Sequence, residues 1–183
     1  MPTNLFGRRR RAGAAPATPA APPAAAPAAA ALVAGQVGAP VAGTVVPLAE
    51  VADPAFAAGL LGPGVGVQPT DGTVVAPLSG TVVTAMPHAY GLRSDAGVEV
   101  LVHVGIDTVT LKGQHFDQRV EPGARVEAGD VLARVDVAAV AAGGLPTTVV
   151  LVVTNAAALG GVEPHAPGPV VAGAPVLTVT PAT

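Results

Sequence analysis

Ala-Pro-Val-Ala-Gly-Thr-Val-Val at 39–46 returns as Ala-Pro-Leu-Ser-Gly-Thr-Val-Val at 76–83, with six of the eight positions unchanged. In each copy the proline opposes a helix, the glycine permits a tight turn, and the Thr-Val-Val run supplies the β-branched residues that a pleated strand accommodates. A looser echo relates 120–135 to 162–179, where Val-Glu-Pro again leads through Ala-Gly to a Val-Leu strand. Two copies are too few for a solenoid and predict one compact domain of duplicated β units.

Outward from these repeats, Val-rich runs bounded by Gly, Pro, Asn or Asp predict strands near 43–46, 65–67, 73–75, 81–85, 98–104, 108–112, 131–135, 148–154 and 176–180. Helix is confined to short turns at 54–58, 137–142 and 155–159. The expected fold is all-β, a compact antiparallel sandwich or barrel with short helical turns. Composition agrees: 50% of residues are hydrophobic but only 2% aromatic, with 23 Gly and 20 Pro, so Val and Ala must fill the core.

The ordered domain is expected over 37–183, after an Arg/Ala/Pro-rich tail over 1–36. From Ala12 to Ala34 the chain is mainly Ala with scattered Pro and has no periodic apolar face, the composition of a disordered or extended segment. Prolines at 16, 19, 22, 23 and 27 interrupt the apolar stretch a secretory signal would need. No later run offers the ~18 apolar residues of a membrane span. A cytoplasmic location is expected.

Four of the nine basic residues are Arg8 to Arg11, leaving five bases against twelve acids in the remainder. Such a body repels nucleic-acid phosphates and suits a partner with a basic face. Cysteine is absent, which excludes disulfides, a thiolate nucleophile and cysteine-ligated metal.

Chemistry concentrates in Val-Glu-Val-Leu-Val-His-Val, 98–104. The two-residue period of a strand puts Val98, Val100, Val102 and Val104 on one face and Glu99, Leu101 and His103 on the other. The valine face is the natural core face, so His103 is expected to face solvent or a shallow groove. Gly105 follows, able to turn the backbone so that a carbonyl holds one ring nitrogen and leaves the other free. His88 lies earlier, after Pro87. If strands 81–85 and 98–104 are neighbours, the two imidazoles meet on one face, one to receive a phosphoryl group and one to donate a hydrogen bond to its oxygens.

Leu-Val-His-Val-Gly-Ile-Asp-Thr-Val-Thr-Leu-Lys-Gly at 101–113, flanked by Ala-Pro-Leu-Ser-Gly-Thr-Val-Val and Pro-Gly-Ala-Arg-Val-Glu-Ala-Gly-Asp-Val-Leu, closely resembles the glucose-type enzyme IIA family of the bacterial phosphoenolpyruvate:sugar phosphotransferase system. The resemblance runs from about Val37 to Val179 and implies the duplicated hybrid motif fold. It implies that His103 accepts phosphate from phospho-HPr and passes it to enzyme IIB of a sugar permease, through which the protein would associate peripherally with the membrane. His88 would stabilise the phosphoryl group, the Gly105 carbonyl would orient His103, and Asp53, Phe56 and Asp107 would border the docking face. No cofactor or resident metal is implied. The family also regulates transporters and metabolic enzymes, an alternative role for this chain.

The chain departs from the family pattern in places. Met86 stands where many relatives have a threonine that holds the supporting histidine, and a thioether accepts hydrogen bonds poorly. Tyr90 replaces a common phenylalanine, and Leu101 and Thr84 make the contact patch less aromatic. Asp53 can also be read as a helix cap, Phe56 as core and Asp107 as a turn residue. A biotinyl- or lipoyl-type carrier would need a lysine at a hairpin tip, and Lys112 lies outside that hairpin. A zinc peptidase would need His-x-His where this chain has His-Val-Gly. His115 and His165 lack these contexts and are expected to be solvated.

Overall fold

In the computed structural model, which describes residues 35–180 and 182, the Thr-Val-Val runs of the two repeats both lie in strands of the same large sheet. The first repeat forms β2 (Gly43–Pro47), and the second forms β5 (Gly80–Met86). Chain order runs β1 (Gln36–Gly38), β2, α1 (Pro54–Ala57), β3 (Gly64–Pro69), β4 (Thr73–Val75), β5, β6 (Ala89–Arg93), β7 (Glu99–Val104), β8 (Phe116–Gln118), β9 (Arg125–Val126) and β10 (Val131–Val135). It continues through α2 (Val137–Ala142), β11 (Val149–Val153), β12 (Gly161–Pro164), β13 (Gly168–Val170) and β14 (Pro175–Thr180). Eight strands pair in the order β13-β2-β3-β11-β7-β6-β5-β9, and two three-stranded sheets pair as β1-β14-β12 and β4-β10-β8. All pairings are antiparallel.

The sequence echo is a backbone symmetry. Ala39 donates to the Ala174 carbonyl and accepts from Gly173, while Ala76 donates to Asp130 and accepts from Gly129. Gly38 donates to the Pro77 carbonyl as Val75 does to Pro40. Gly43 faces Val170 in β13, and Gly80 faces Val126 in β9. The relation continues through the β2–β3 and β5–β6 hairpins to β11 and β7, which pair with each other about the Leu151–Val102 contact. It makes Val152 the counterpart of His103, Pro63 that of His88, Val65 that of Tyr90 and Thr154 that of Gly105.

The main core joins the inner faces of all three sheets. Val37, Val45, Val67, Val74, Val82, Val102, Leu132, Leu151 and Leu177 all lie in one buried cluster, with Tyr90 the largest wholly enclosed side chain. At about 1.5–3 kcal/mol for each fully buried aliphatic side chain, this valine lattice supplies the driving force that a nearly aromatic-free chain needs. β11 is buried on both faces. Val149, Leu151 and Val153 enter the main core, whereas Val150 and Val152 join Val51, Phe56 and Ile106 in a second cluster on the opposite face.

Several sequence expectations are corrected. Residues 108–112 form a 3-10 turn over Thr108–Leu111 and not a strand, because Asp107 takes a left-handed conformation and the Thr108 hydroxyl bonds back to the Val104 carbonyl at 2.7 Å. β1, β6, β8, β9, β12 and β13 are short strands that the hydrophobic pattern does not mark, and 155–159 holds only a 3-10 turn at Ala156–Ala158. β5 and β7 are not neighbours, since β6 lies between them. Gln36, placed in the tail, pairs with Thr178 in β1; the tail before Gly35 lies outside the described residues.

Candidate functional site

His103 sits on β7 between Ala89 of β6 and Val150 of β11. Its neighbours Val102 and Val104 are buried in the main core, so alternation turns its ring to the outer face, where it is half-buried. Two residues on, Gly105 adopts φ 72° and brings its carbonyl to 2.7 Å from His103 Nδ1. A carbonyl only accepts, so Nδ1 carries the proton and Nε2 presents a lone pair. Gly105 is required here: a Cβ would lie 2.5 Å from Thr108 Cγ2 and 3.0 Å from the Pro146 carbonyl oxygen. The turn is tied to the segment leading into β11 by bonds from the Gly105 and Ile106 amides to the Thr148 and Pro146 carbonyls.

His88 reaches the same place by a different route from the one expected. Pro87 and His88 form the turn between β5 and β6, and the His88 carbonyl accepts from the Val104 amide at 2.8 Å. The two imidazoles meet edge to face, with centroids 5.3 Å apart and planes at 73°. On another side of His103, the Phe56 ring lies with its centroid at 5.3 Å and a 58° tilt.

Phe56 is delivered by α1, whose start is fixed by Asp53. One carboxylate oxygen accepts from the Ala55 and Phe56 amides at 2.8 and 3.0 Å, and Pro54 fills the first helical position. Asp53 thus caps the helix while its charge acts on His103. Phe56, expected on the docking face, is 5% exposed and packs with Ile106, Val150 and Val152. It is a wall of the site with little area left for a partner. Leu101, also expected to dock, is half-buried against the same cluster. Asp107 is exposed at the head of the 3-10 turn.

Burial lowers the His103 pKa below the ordinary value, and this outweighs the opposing pull of the Gly105 carbonyl, Asp53 and Asp107. His88 is lowered too, first by burial and then by the His103 charge. Both rings are therefore neutral near pH 7, the state in which one is a nucleophile and the other a hydrogen-bond donor. The surroundings are open and apolar. Met86, 44% exposed, shares a row with Ala89 and His103 across the sheet, and Val109, 58% exposed, projects from the following 3-10 turn.

Thr108, whose hydroxyl bonds to the Val104 carbonyl, and Thr148, whose carbonyl accepts from the Gly105 amide, are not among the expected site residues; a hydroxyl directly after the Gly-Ile-Asp turn is a usable signal for the first. His115 is exposed and follows a 3-10 turn instead of a strand. His165 is not free in solvent: Nδ1 lies 3.1 Å from the Pro175 carbonyl and Nε2 2.8 Å from the Thr178 hydroxyl. Lys112 ends the 3-10 turn and does not cap a β-hairpin. Among the described residues no three His, Cys, Asp or Glu side chains group as metal ligands, and no helix is long and apolar enough to cross a membrane.

An all-β scaffold with an accessible histidine held at one nitrogen, and a second imidazole against it, defines a class of phosphoryl carriers. The family model for the phosphoenolpyruvate-dependent sugar phosphotransferase system, EIIA 1, matches residues 35–159, and the chain belongs to this family. It is a phosphoryl-transfer component of such a system. The mannose-specific EIIBCA component of Corynebacterium glutamicum is 48% identical over 137 residues, covering 72% of this chain and 20% of that protein. The glucose-specific EIICBA component of Streptococcus pneumoniae is 46% identical over 123 residues, covering 66% and 17%. The chain thus spans about a fifth of the length of these curated relatives. Among solved structures, glucose permease IIA from Mycoplasma capricolum superposes with a TM-score of 0.69 at 36% identity, covering 78% of this chain and 93% of that one.

Proposed function

We propose that Nε2 of His103 accepts a phosphoryl group from phospho-HPr and passes it to a cysteine of enzyme IIB in a sugar permease. The observation that carries this reading is the 2.7 Å contact between His103 Nδ1 and the Gly105 carbonyl, which fixes the tautomer with its lone pair on Nε2. The Nε2–P bond forms as the donor N–P bond breaks, and the electron pair of that bond stays with the donor nitrogen. Nδ1 keeps its proton, so positive charge develops on the His103 ring. The Gly105 carbonyl and the charges of Asp53 and Asp107 stabilise it.

His88, neutral and edge-on to His103, donates an N–H to a phosphoryl oxygen. Both N–P and S–P linkages are reactive, so alignment is the main contribution of the protein. The shallow, apolar surroundings suit two successive partners that must reach one atom. Asp53 and Asp107 favour encounter with a basic face more than tight binding. A location at the cytoplasmic side of the membrane, reached through the permease, follows from this role.

The test supplies labelled phosphoenolpyruvate, enzyme I and HPr to the wild type, His103→Ala and His88→Gln. Label is expected on the wild type and His88→Gln and absent from His103→Ala, with His88→Gln passing label on slowly. Undiminished acid-labile label on His103→Ala would overturn the assignment.

A further inference from the structure

The His88 ring makes no hydrogen bond to protein among the described residues, and Met86, exposed in the neighbouring row, has no group to hold it. Its aim is therefore set by its backbone. That backbone is fixed at two successive carbonyls: His88 O accepts from Val104, and Pro87 O accepts from the Tyr90 hydroxyl at 3.0 Å. The Pro87 ring leans toward Gly113, where a Cβ would come within 3.3 Å of Pro87 Cγ.

Tyr90 is wholly buried, its ring in the main core and its hydroxyl reaching back across the β5–β6 turn. Burial pushes its pKa up to about 12, so it remains a donor throughout the working range. The other half of the molecule supplies the control. There Val65 occupies the counterpart core position, opposite Leu151 as Tyr90 is opposite Val102. The Val153 amide still bonds to the Pro63 carbonyl at 2.9 Å. The fold needs an apolar group at this position and does not need a hydroxyl. The hydroxyl occurs in the half whose turn bears a histidine.

We propose that Tyr90 is a positioning residue for phosphoryl transfer, its hydroxyl fixing through the Pro87 carbonyl the turn that aims His88 at the phosphoryl group. The inference rests on His103 as carrier and His88 as its support. Tyr90→Phe keeps the ring and removes one hydrogen bond. Phosphorylated wild type, Tyr90→Phe, His88→Gln and the double variant are each mixed with a purified enzyme IIB, with His103→Ala as the loading control.

Tyr90→Phe is expected to pass label on about three- to tenfold more slowly, the range set by one net hydrogen bond. It should have no further effect in the His88→Gln background, because its action runs through that ring. In NMR titration the His88 imidazole of Tyr90→Phe should shift upward toward the ordinary histidine value as the ring gains solvent. Wild-type transfer and titration in Tyr90→Phe, or equal slowing with and without His88, would overturn the inference while His103→Ala stays unlabelled. Label on His103→Ala would instead overturn the carrier assignment, and this inference with it.

Discussion

The half of the large sheet that carries His103 and the half that carries Val152 share their backbone hydrogen bonds and differ in what hangs on them. Val104 donates to the His88 carbonyl as Val153 does to Pro63, and Gly105 donates to Thr148 as Thr154 does to Glu99. Past this point they diverge. Gly105 turns back at φ 72° so that its carbonyl meets the imidazole. At the counterpart end, the Asn155 side chain instead bonds the Glu99 amide and the Gly97 carbonyl. The proposed site thus differs from its counterpart on the duplicated scaffold at a few positions, while the inner valine faces are alike.

The sharpest way to break this comparison is to give the half that carries His103 its counterpart's residue. His103→Val should abolish labelling by phospho-HPr while leaving the melting temperature unchanged or higher, since a β-branched residue suits this strand. Loss of folding in a thermal melt would mean that the histidine also supports the scaffold.

Gly105→Ala comes next. A side chain at positive φ facing Thr108 and the Pro146 carbonyl should cost about 1–3 kcal/mol in denaturant unfolding and slow loading by displacing the carbonyl from Nδ1. Thr154→Ala, at the counterpart position, should stay within about 0.5 kcal/mol.

Asp53 separates cap from charge. Asp53→Ala should lose about 1 kcal/mol of stability, whereas Asp53→Asn should keep most of the cap. Both should lower the His103 titration further, because the carboxylate holds it up. NMR of the imidazole protons reads this directly.

The smallest effect is on pH dependence. Both folded pKa values lie below the ordinary 6.5, so on acidification the unfolded chain takes up protons at these imidazoles before the folded chain does. Stability should fall as pH drops from the ordinary value toward the folded ones, then level off as far as these two groups are concerned. His103→Val should flatten that slope in pH-dependent unfolding. On loading of His103, the phosphoryl charge should raise the His88 pKa, reversing the direction set by burial.

Much of this was legible in the chain. The repeated Ala-Pro-x-x-Gly-Thr-Val-Val marks the duplicated strands, and alternation in 98–104 alone puts His103 on the outer face. Ala-Tyr-Gly-Leu-Arg, by contrast, has no clean alternation and a central glycine, so its pattern does not signal β6 or the reason His88 reaches His103 from a turn. The 108–112 run looked like a strand because Val and Thr dominate it. One left-handed residue and one threonine hydroxyl were enough to coil it instead.

By itself, the sequence determined the all-β class, the duplication, the outward face of His103 and the glycine beside it, because these depend on local period and local sterics. The tertiary structure alone decided that Phe56 is a wall instead of a rim, that burial outweighs two carboxylates in setting the His103 charge, and that Tyr90 reaches Pro87. Those outcomes depend on how closely segments distant in sequence pack, and desolvation and side-chain reach are properties of that packing, not of any single stretch of chain.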